Sequence, residues 1–216
     1  MLRILRKEPS AILLAVQLAA ILLYPWMEGN GAGRALFSLV GIVVMALVII
    51  AVRSSPALTW IGFLLGIPAA ALLLIQAVTD SASLSSYSSA LEAILYFYGA
   101  YALIRYMLAD HEITRDELYA VAATFTLVAW GFAHVYVVWQ AIEPQSFVAA
   151  LHPEQPRTWM ELLFLSFTTL SSTGLSDVVP VDPFARSLCM IEQLAGVAYI
   201  AVVVSRLVAL TIPRPR

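Results

Sequence analysis

Charge is scarce in this sequence: 12% of its 216 residues are Asp, Glu, Lys or Arg, about half the share of an ordinary soluble domain. Hydrophobic residues make up 61%. No polar stretch is long enough to bury a core of its own, which excludes a separate soluble domain. Cysteine is nearly absent as well. Cys189, the single one, excludes an internal disulfide and a cysteine-based metal cluster, and its place in an apolar run reads as a small packing residue. Neither GxSxG nor HExxH occurs, so an enzyme is not expected, and nothing supports a nucleic-acid partner. Internal repeats and low-complexity tracts are missing too, and without repeated halves carrying matched broken helices a transporter does not fit.

What remains is a series of apolar runs separated by short loops. About twenty apolar residues cross the hydrocarbon as a helix. Six stretches approach or exceed that, near 9–26, 35–53, 57–78, 88–109, 116–142 and 185–211. The first is too long for a signal-peptide core and is followed by no small-residue cleavage site, so it reads as a spanning helix. Breaks between spans are chemically legible: a glycine-rich turn at 28–33, Arg-Ser-Ser-Pro at 53–56, a serine-rich N-cap region at 80–86, and a mixed-sign stretch at 110–117 suited to an interfacial elbow.

Lys and Arg set the orientation. With the N-terminus inside, Arg3, Arg6, Lys7, Arg53, Arg105, Arg115, Arg206, Arg214 and Arg216 lie on the cytoplasmic side, against Arg34, Arg157 and Arg186 outside. Six crossings then leave both termini cytoplasmic. The expected architecture is an all-α integral membrane protein with a four-helix domain over 1–110 and a second domain over 111–216.

Between the last two spans lies a seventh helical stretch, 158–170, too short to cross and preceded by a polar, proline-bearing loop. Thr158 stands three residues before Glu161, a capping-box spacing that starts the helix just after Pro156. After Leu170 comes Ser-Ser-Thr-Gly-Leu-Ser-Asp at 171–177, a string no stable helix would choose. Non-helical backbone at membrane depth survives only where it is buried in protein or lines a water-filled path. A pore uses these parts: a helix C-terminus favours a cation, and extended backbone beyond it supplies oxygens that replace an ion's water shell. One copy gives one strand of such a ring, so the chain is expected to assemble around an axis.

The segment Leu-Ser-Phe-Thr-Thr-Leu-Ser-Ser-Thr-Gly-Leu-Ser-Asp-Val-Val-Pro at 165–180 resembles the FSFxTLTTVGYGDxxP pore-loop pattern of the tetrameric potassium channel superfamily. The span 185–208 resembles that superfamily's inner helix, with Gly196 at its hinge glycine. The resemblance implies a homotetramer with outer helix 116–142, pore helix 158–170, filter 171–177 and inner helix 185–211. It places Ser172, Thr173, Gly174, Leu175 and Ser176 at the TVGYG filter and Asp177 at the outer mouth, with potassium as permeant ion and no other cofactor. The pore would sit in a lipid membrane, with accessory subunits open and a prokaryotic character in the compact loops.

Two departures matter. Leu175 removes the tyrosine that ties the family's filter to its surroundings, and Ser176 replaces a glycine whose left-handed backbone costs other residues about 1–2 kcal/mol. Cation permeation is therefore expected more firmly than strict potassium selectivity. The fourth span carries one arginine, Arg105, instead of a periodic series, so steep voltage gating is not expected. Nor is a ligand-binding domain expected beyond Arg216. A non-conducting subunit that keeps the scaffold for assembly is the remaining alternative.

Single residues add less. Glu192 lies within the last span, where a charge costs about 3 kcal/mol on insertion scales. It braces the inner helix against Thr168 or Thr169, or faces the conduction path. Glu92 lies near the outer end of its span and could snorkel, so it is given no role. His134 is read as a packing residue, with proton sensing the alternative because its reference pKa is near 6.5. His111 and His152 fall in loops and are expected to be solvated. Tyr96, Phe97, Tyr98, Tyr101 and Tyr106 read as packing and interface residues.

Overall fold

A computed structural model describes residues 8–27, 31–53, 57–79, 84–109 and 114–211. Among these residues, seven helices and one short ribbon follow in order: α1 Pro9–Met27, α2 Gly31–Arg53, α3 Thr59–Thr79, α4 Ser85–Met107, α5 Arg115–Ile142, β1 Phe147–Ala149, α6 Trp159–Leu170, β2 Val178–Pro180 and α7 Pro183–Thr211. Much of the turns expected at 28–33, 53–56, 80–86 and 110–117 lies outside the described residues, as do His111, the terminal basic residues and the side chains of Arg34 and Arg53.

Among the described residues, four helical segments are long and apolar enough to cross a membrane: Pro9–Trp26, Thr59–Gln76, Arg115–Ile142 and Pro183–Arg206. The apolar part of α2, Leu36–Val52, is shorter. Helix α4 is not among the four. Its polar residues are turned inward instead, with Ser88, Ser89 and Glu92 all buried, so Glu92 does not snorkel.

Helix α5 organises the molecule because two of its faces are apolar. Leu127 and Trp130 join Val44, Val48, Leu95, Leu103 and Leu163 in one core. Phe132 and Tyr136 join Phe147, Leu162, Leu165, Val178 and Cys189 in a second, beneath the loop segments. Cys189 is thus a buried packing residue. In the spanning window of α5, 61% is buried, against 17% for α7. Most of α7 therefore faces outward, toward lipid or another chain.

Polar groups fix the helix ends. Thr158 accepts from the Glu161 amide at 3.3 Å and Glu161 Oε2 accepts from the Thr158 amide at 2.6 Å, closing the capping box on α6. Helix α7 begins two residues earlier than the apolar pattern indicates. The cause is Asp182, whose Oδ2 accepts from the amides of Phe184 and Ala185, both at 2.9 Å, ahead of Pro183 at the first helical position. Asp116 near the start of α5 accepts from the Ser10 amide and hydroxyl, each at 2.9 Å, tying α1 to α5. At the far end of α7, Tyr199 donates to the Val121 carbonyl at 2.6 Å and Arg206 lies 3.4 Å from Glu117.

Among the described residues, the fold departs from purely helical in one place. Residues 147–149 and 178–180 pair antiparallel in the register Phe147↔Pro180, Val148↔Val179 and Ala149↔Val178. This ribbon joins the chain before α6 to the chain after its loop, so the whole excursion is closed at its base.

Candidate functional site

The excursion from Ser146 to Asp182 is anchored at several points. At its entrance, the Gln140 amide on α5 reads the backbone of Arg157 from both sides. Its Oε1 accepts from the Arg157 amide at 2.8 Å and its Nε2 donates to the Arg157 carbonyl at 2.9 Å. The Arg157 guanidinium, expected among the outside charges, is buried. It donates to the carbonyls of Leu151, His152 and Gln155 and lies 3.3 Å from Glu161. One cation thereby satisfies several carbonyls of an irregular loop that sheet or helix would otherwise have paired.

Beneath the excursion, Glu192 of α7 is completely buried. Its partners are not Thr168 or Thr169. Ser166 of α6 donates to Oε1 and Tyr136 of α5 donates to Oε2. One carboxylate thus holds three helices together. Thr168 turns its hydroxyl to its own helix, donating to the Leu165 carbonyl at 2.9 Å. Thr169 is buried.

Gly196 lies where α7 passes the end of α6. A Cβ there would stand 1.9 Å from the Leu170 carbonyl oxygen, closer than atoms can approach, so glycine is demanded by backbone contact.

The loop hangs from carbonyls at the C-terminus of α6, Thr168 O above all, with Thr169 O accepting from the Ser172 amide at 3.0 Å. Thr168 O accepts from the amides of Thr173 and Gly174, both at 3.0 Å, and from the Thr173 hydroxyl at 3.3 Å. Ser171 Oγ and Thr173 Oγ1 are 3.0 Å apart. Left-handed backbone falls at Ser172, φ 60°, and Gly174, φ 65°, and not at Ser176. The Ser176 hydroxyl instead accepts from the Val178 amide at 3.1 Å, which starts β2.

Ser172, Thr173, Gly174, Leu175 and Asp177 are exposed on this single chain, Leu175 at 80%, whereas the residues on either side of the loop, Leu170 and Val178, are buried. Among the described residues, the carbonyl oxygens of 172–176 accept no hydrogen bond. The loop therefore presents unpaired oxygens on an exposed edge at the negative end of a helix dipole, an arrangement that attracts cations.

Sequence reasoning found the loop and its starting helix and missed most of its anchors. Asp182–Pro183 was a legible N-cap signal. Gln140, Arg157, Ser166 and Tyr136 carry no local signature, since their partners are set by which helix faces meet. The three-residue strands are too short to show a period.

A family of proteins described as ion channels matches residues 93–212, more than half of the chain and all of α5, α6 and α7. No curated protein matches, and no solved structure matches.

Proposed function

Since the chain belongs to that ion channel family, and is a membrane channel and not an enzyme, we propose that it conducts cations, chiefly potassium, as a homotetramer. In this reading six helices cross the cell membrane of a prokaryote with both termini cytoplasmic, and α6 with its loop is re-entrant from outside. Residues 1–110 form a four-helix domain in the position of a voltage sensor, and 111–216 form the pore.

The observation that carries the reading is the exposed run of unpaired carbonyls at 172–176, suspended from Thr168 at the end of α6. Four copies facing one axis make rings of oxygen that can replace an ion's hydration shell. Ser172, Thr173 and Gly174 supply the inner coordination, Leu175 and Ser176 the outer half, and Asp177 concentrates cations at the mouth. Bending near Gly196 gates the inner helix, while Thr168, Thr169 and Glu192 support the pore helix.

The purified protein in liposomes, with potassium and sodium on opposite faces, tests this. A reversal potential near the potassium equilibrium value is expected. A value near zero indicates a non-selective cation pore, a reading favoured by Leu175 and Ser176, and Leu175→Tyr with Ser176→Gly is then expected to shift reversal toward potassium. Silence in both ions after pH and tension have been varied overturns conduction and leaves a scaffold subunit.

Gly174→Ala is expected to abolish flux while tetramers still form. A Cβ at Gly174 meets nothing of its own chain, so the chain has room for it to fold as before. The φ of 65° costs alanine about 1–2 kcal/mol, and relief of that strain turns the loop carbonyls away. Unchanged flux refutes the filter assignment.

A further inference from the structure

Glu92 of α4 and His134 of α5 face each other in the interior, both nearly excluded from solvent, with Oε2 3.4 Å from Nε2. The indole of Trp159, the first residue of α6, donates to the same Nε2 at 3.3 Å. Tyr24, Phe37, Tyr96 and Trp130 complete an aromatic wall around these groups, with ring centroids 5.2–5.8 Å apart. Within the wall lies a cavity of about 20 Å³, room for one water. Among the described residues, His134 Nδ1 and Trp130 Nε1 are buried nitrogens without a partner, and both side chains line that cavity.

The geometry poses a conflict of protons. As an acceptor from Trp159, Nε2 must present its lone pair, and Nδ1 then carries the hydrogen. As a donor to Glu92, Nε2 must carry a proton, and it can no longer accept from Trp159. One nitrogen cannot serve both neighbours at once.

We propose that this cluster is a buried proton-binding site in which one proton taken up from water at His134 Nε2 exchanges the Trp159–His134 hydrogen bond for a His134–Glu92 ion pair. The exchange releases the first residue of the pore helix from α5 and ties α5 to α4. The unpartnered Nδ1 and the adjoining cavity give the second ring nitrogen a water to bond in either state. The titratable groups facing His134 are Glu92 and Tyr96 from α4, with Tyr24 of α1 against Trp159. The cavity lining from α1, α2 and α3 is Ala20, Phe37, Val40, Gly41 and Leu73, and among the described residues no Lys or Arg lines it. The site stands apart from conduction; only its effect on flux rests on the channel reading.

Imidazolium quenches indole emission, so tryptophan fluorescence reads the site without any flux. The purified protein is titrated from about pH 9 down to the lowest pH at which it stays folded, a range that includes the ordinary imidazole pKa and the values below it. Wild-type emission is expected to fall along a single-proton curve that His134→Gln lacks. Glu92→Gln is expected to move the midpoint about 1–3 pH units lower, because the imidazolium loses its counter-charge. Superimposable wild-type and His134→Gln curves overturn the proposal. If His134→Gln is not recovered folded, an unmoved midpoint in Glu92→Gln does the same. Liposome flux over the same series separates the two readings. Flux that follows the emission midpoint supports coupling to the pore, and flux indifferent to pH while emission titrates overturns that coupling. Emission that titrates with no flux at any pH counts against conduction and for the proton site.

Discussion

Replacing Gly196 with alanine is expected to lower the thermal stability of the assembled protein and to abolish ion flux. Two effects of opposite sign compete. In a helix interior, alanine is worth about 1 kcal/mol more than glycine, so propensity alone predicts a more stable protein. Packing predicts the reverse. The added Cβ would sit 1.9 Å from Leu170 O and 2.8 Å from Leu170 C, and both atoms are backbone, so no side chain can rotate out of the way.

The helices must separate, and overpacking of that kind costs about 1–3 kcal/mol and sometimes more. Packing therefore wins. Because Leu170 is the last residue of α6 and Thr168 carries the loop, the displacement also moves the proposed filter. Melting in detergent, read beside liposome flux, separates this from a pure hinge. A hinge glycine replaced by alanine gives a stiffer helix with equal or higher melting temperature, and that outcome contradicts the close approach.

The second large effect is expected at Glu192. Glu192→Ala removes the acceptor of both Ser166 and Tyr136, whose side chains are completely buried. Each hydroxyl left without a partner costs about 1–3 kcal/mol, so a total loss of about 2–5 kcal/mol is expected. Ser166 has a second acceptor, the Ala129 carbonyl at 2.8 Å, and that moderates its share. Tyr136 has as its alternative only the Cys189 thiol, a weak partner, so its share is the larger.

Glu192→Gln is expected to remain close to wild type, because Oε1 still accepts from Tyr136 and Nε2 can donate to Ser166 while Ser166 turns to Ala129. The expected order of melting temperatures is wild type and Gln above Ala. If Glu192 instead faced the conduction path, Gln would change conductance while Ala left melting unaltered, so the two measurements distinguish the roles.

How much of this was legible in the sequence depends on distance along the chain. The capping box of α6 is local: Thr158 and Glu161 are three residues apart, and spacing alone locates the helix start. The end at Leu170 is equally local, since serine, threonine and glycine follow at once. Glu192 could be recognised as costly and in need of partners, but choosing Ser166 and Tyr136 over Thr168 and Thr169 requires the rotational phase of α6 against α5 and α7. No short window of sequence contains that phase.

Glu92 illustrates the same limit. Its position near a helix end permits snorkelling, yet the face it occupies is the one α4 turns toward His134, and burial follows from that packing. Arg157 entered the sequence reading only as a charge on one side of the membrane, and the commitment of its guanidinium to loop carbonyls had no signal there. Gly196 was legible as a glycine with a purpose, and its close contact with the Leu170 backbone is a further demand that the sequence did not reveal.

The β1–β2 ribbon acts as a length gauge. Val178 is 1% exposed and Val179 is 50% exposed, and in a strand a slip of one residue exchanges the two faces. A residue inserted or deleted between Leu170 and Val178 must therefore be absorbed within the loop, because passing it on to the strand would slip the pairing with Phe147–Ala149 and turn Val178 out of the core. The stretch between Ala149 and Arg157 is held differently, by the Arg157 guanidinium on the carbonyls of Leu151, His152 and Gln155. The ribbon thus keeps the exit of the loop at one place even where the residues of the loop itself drift.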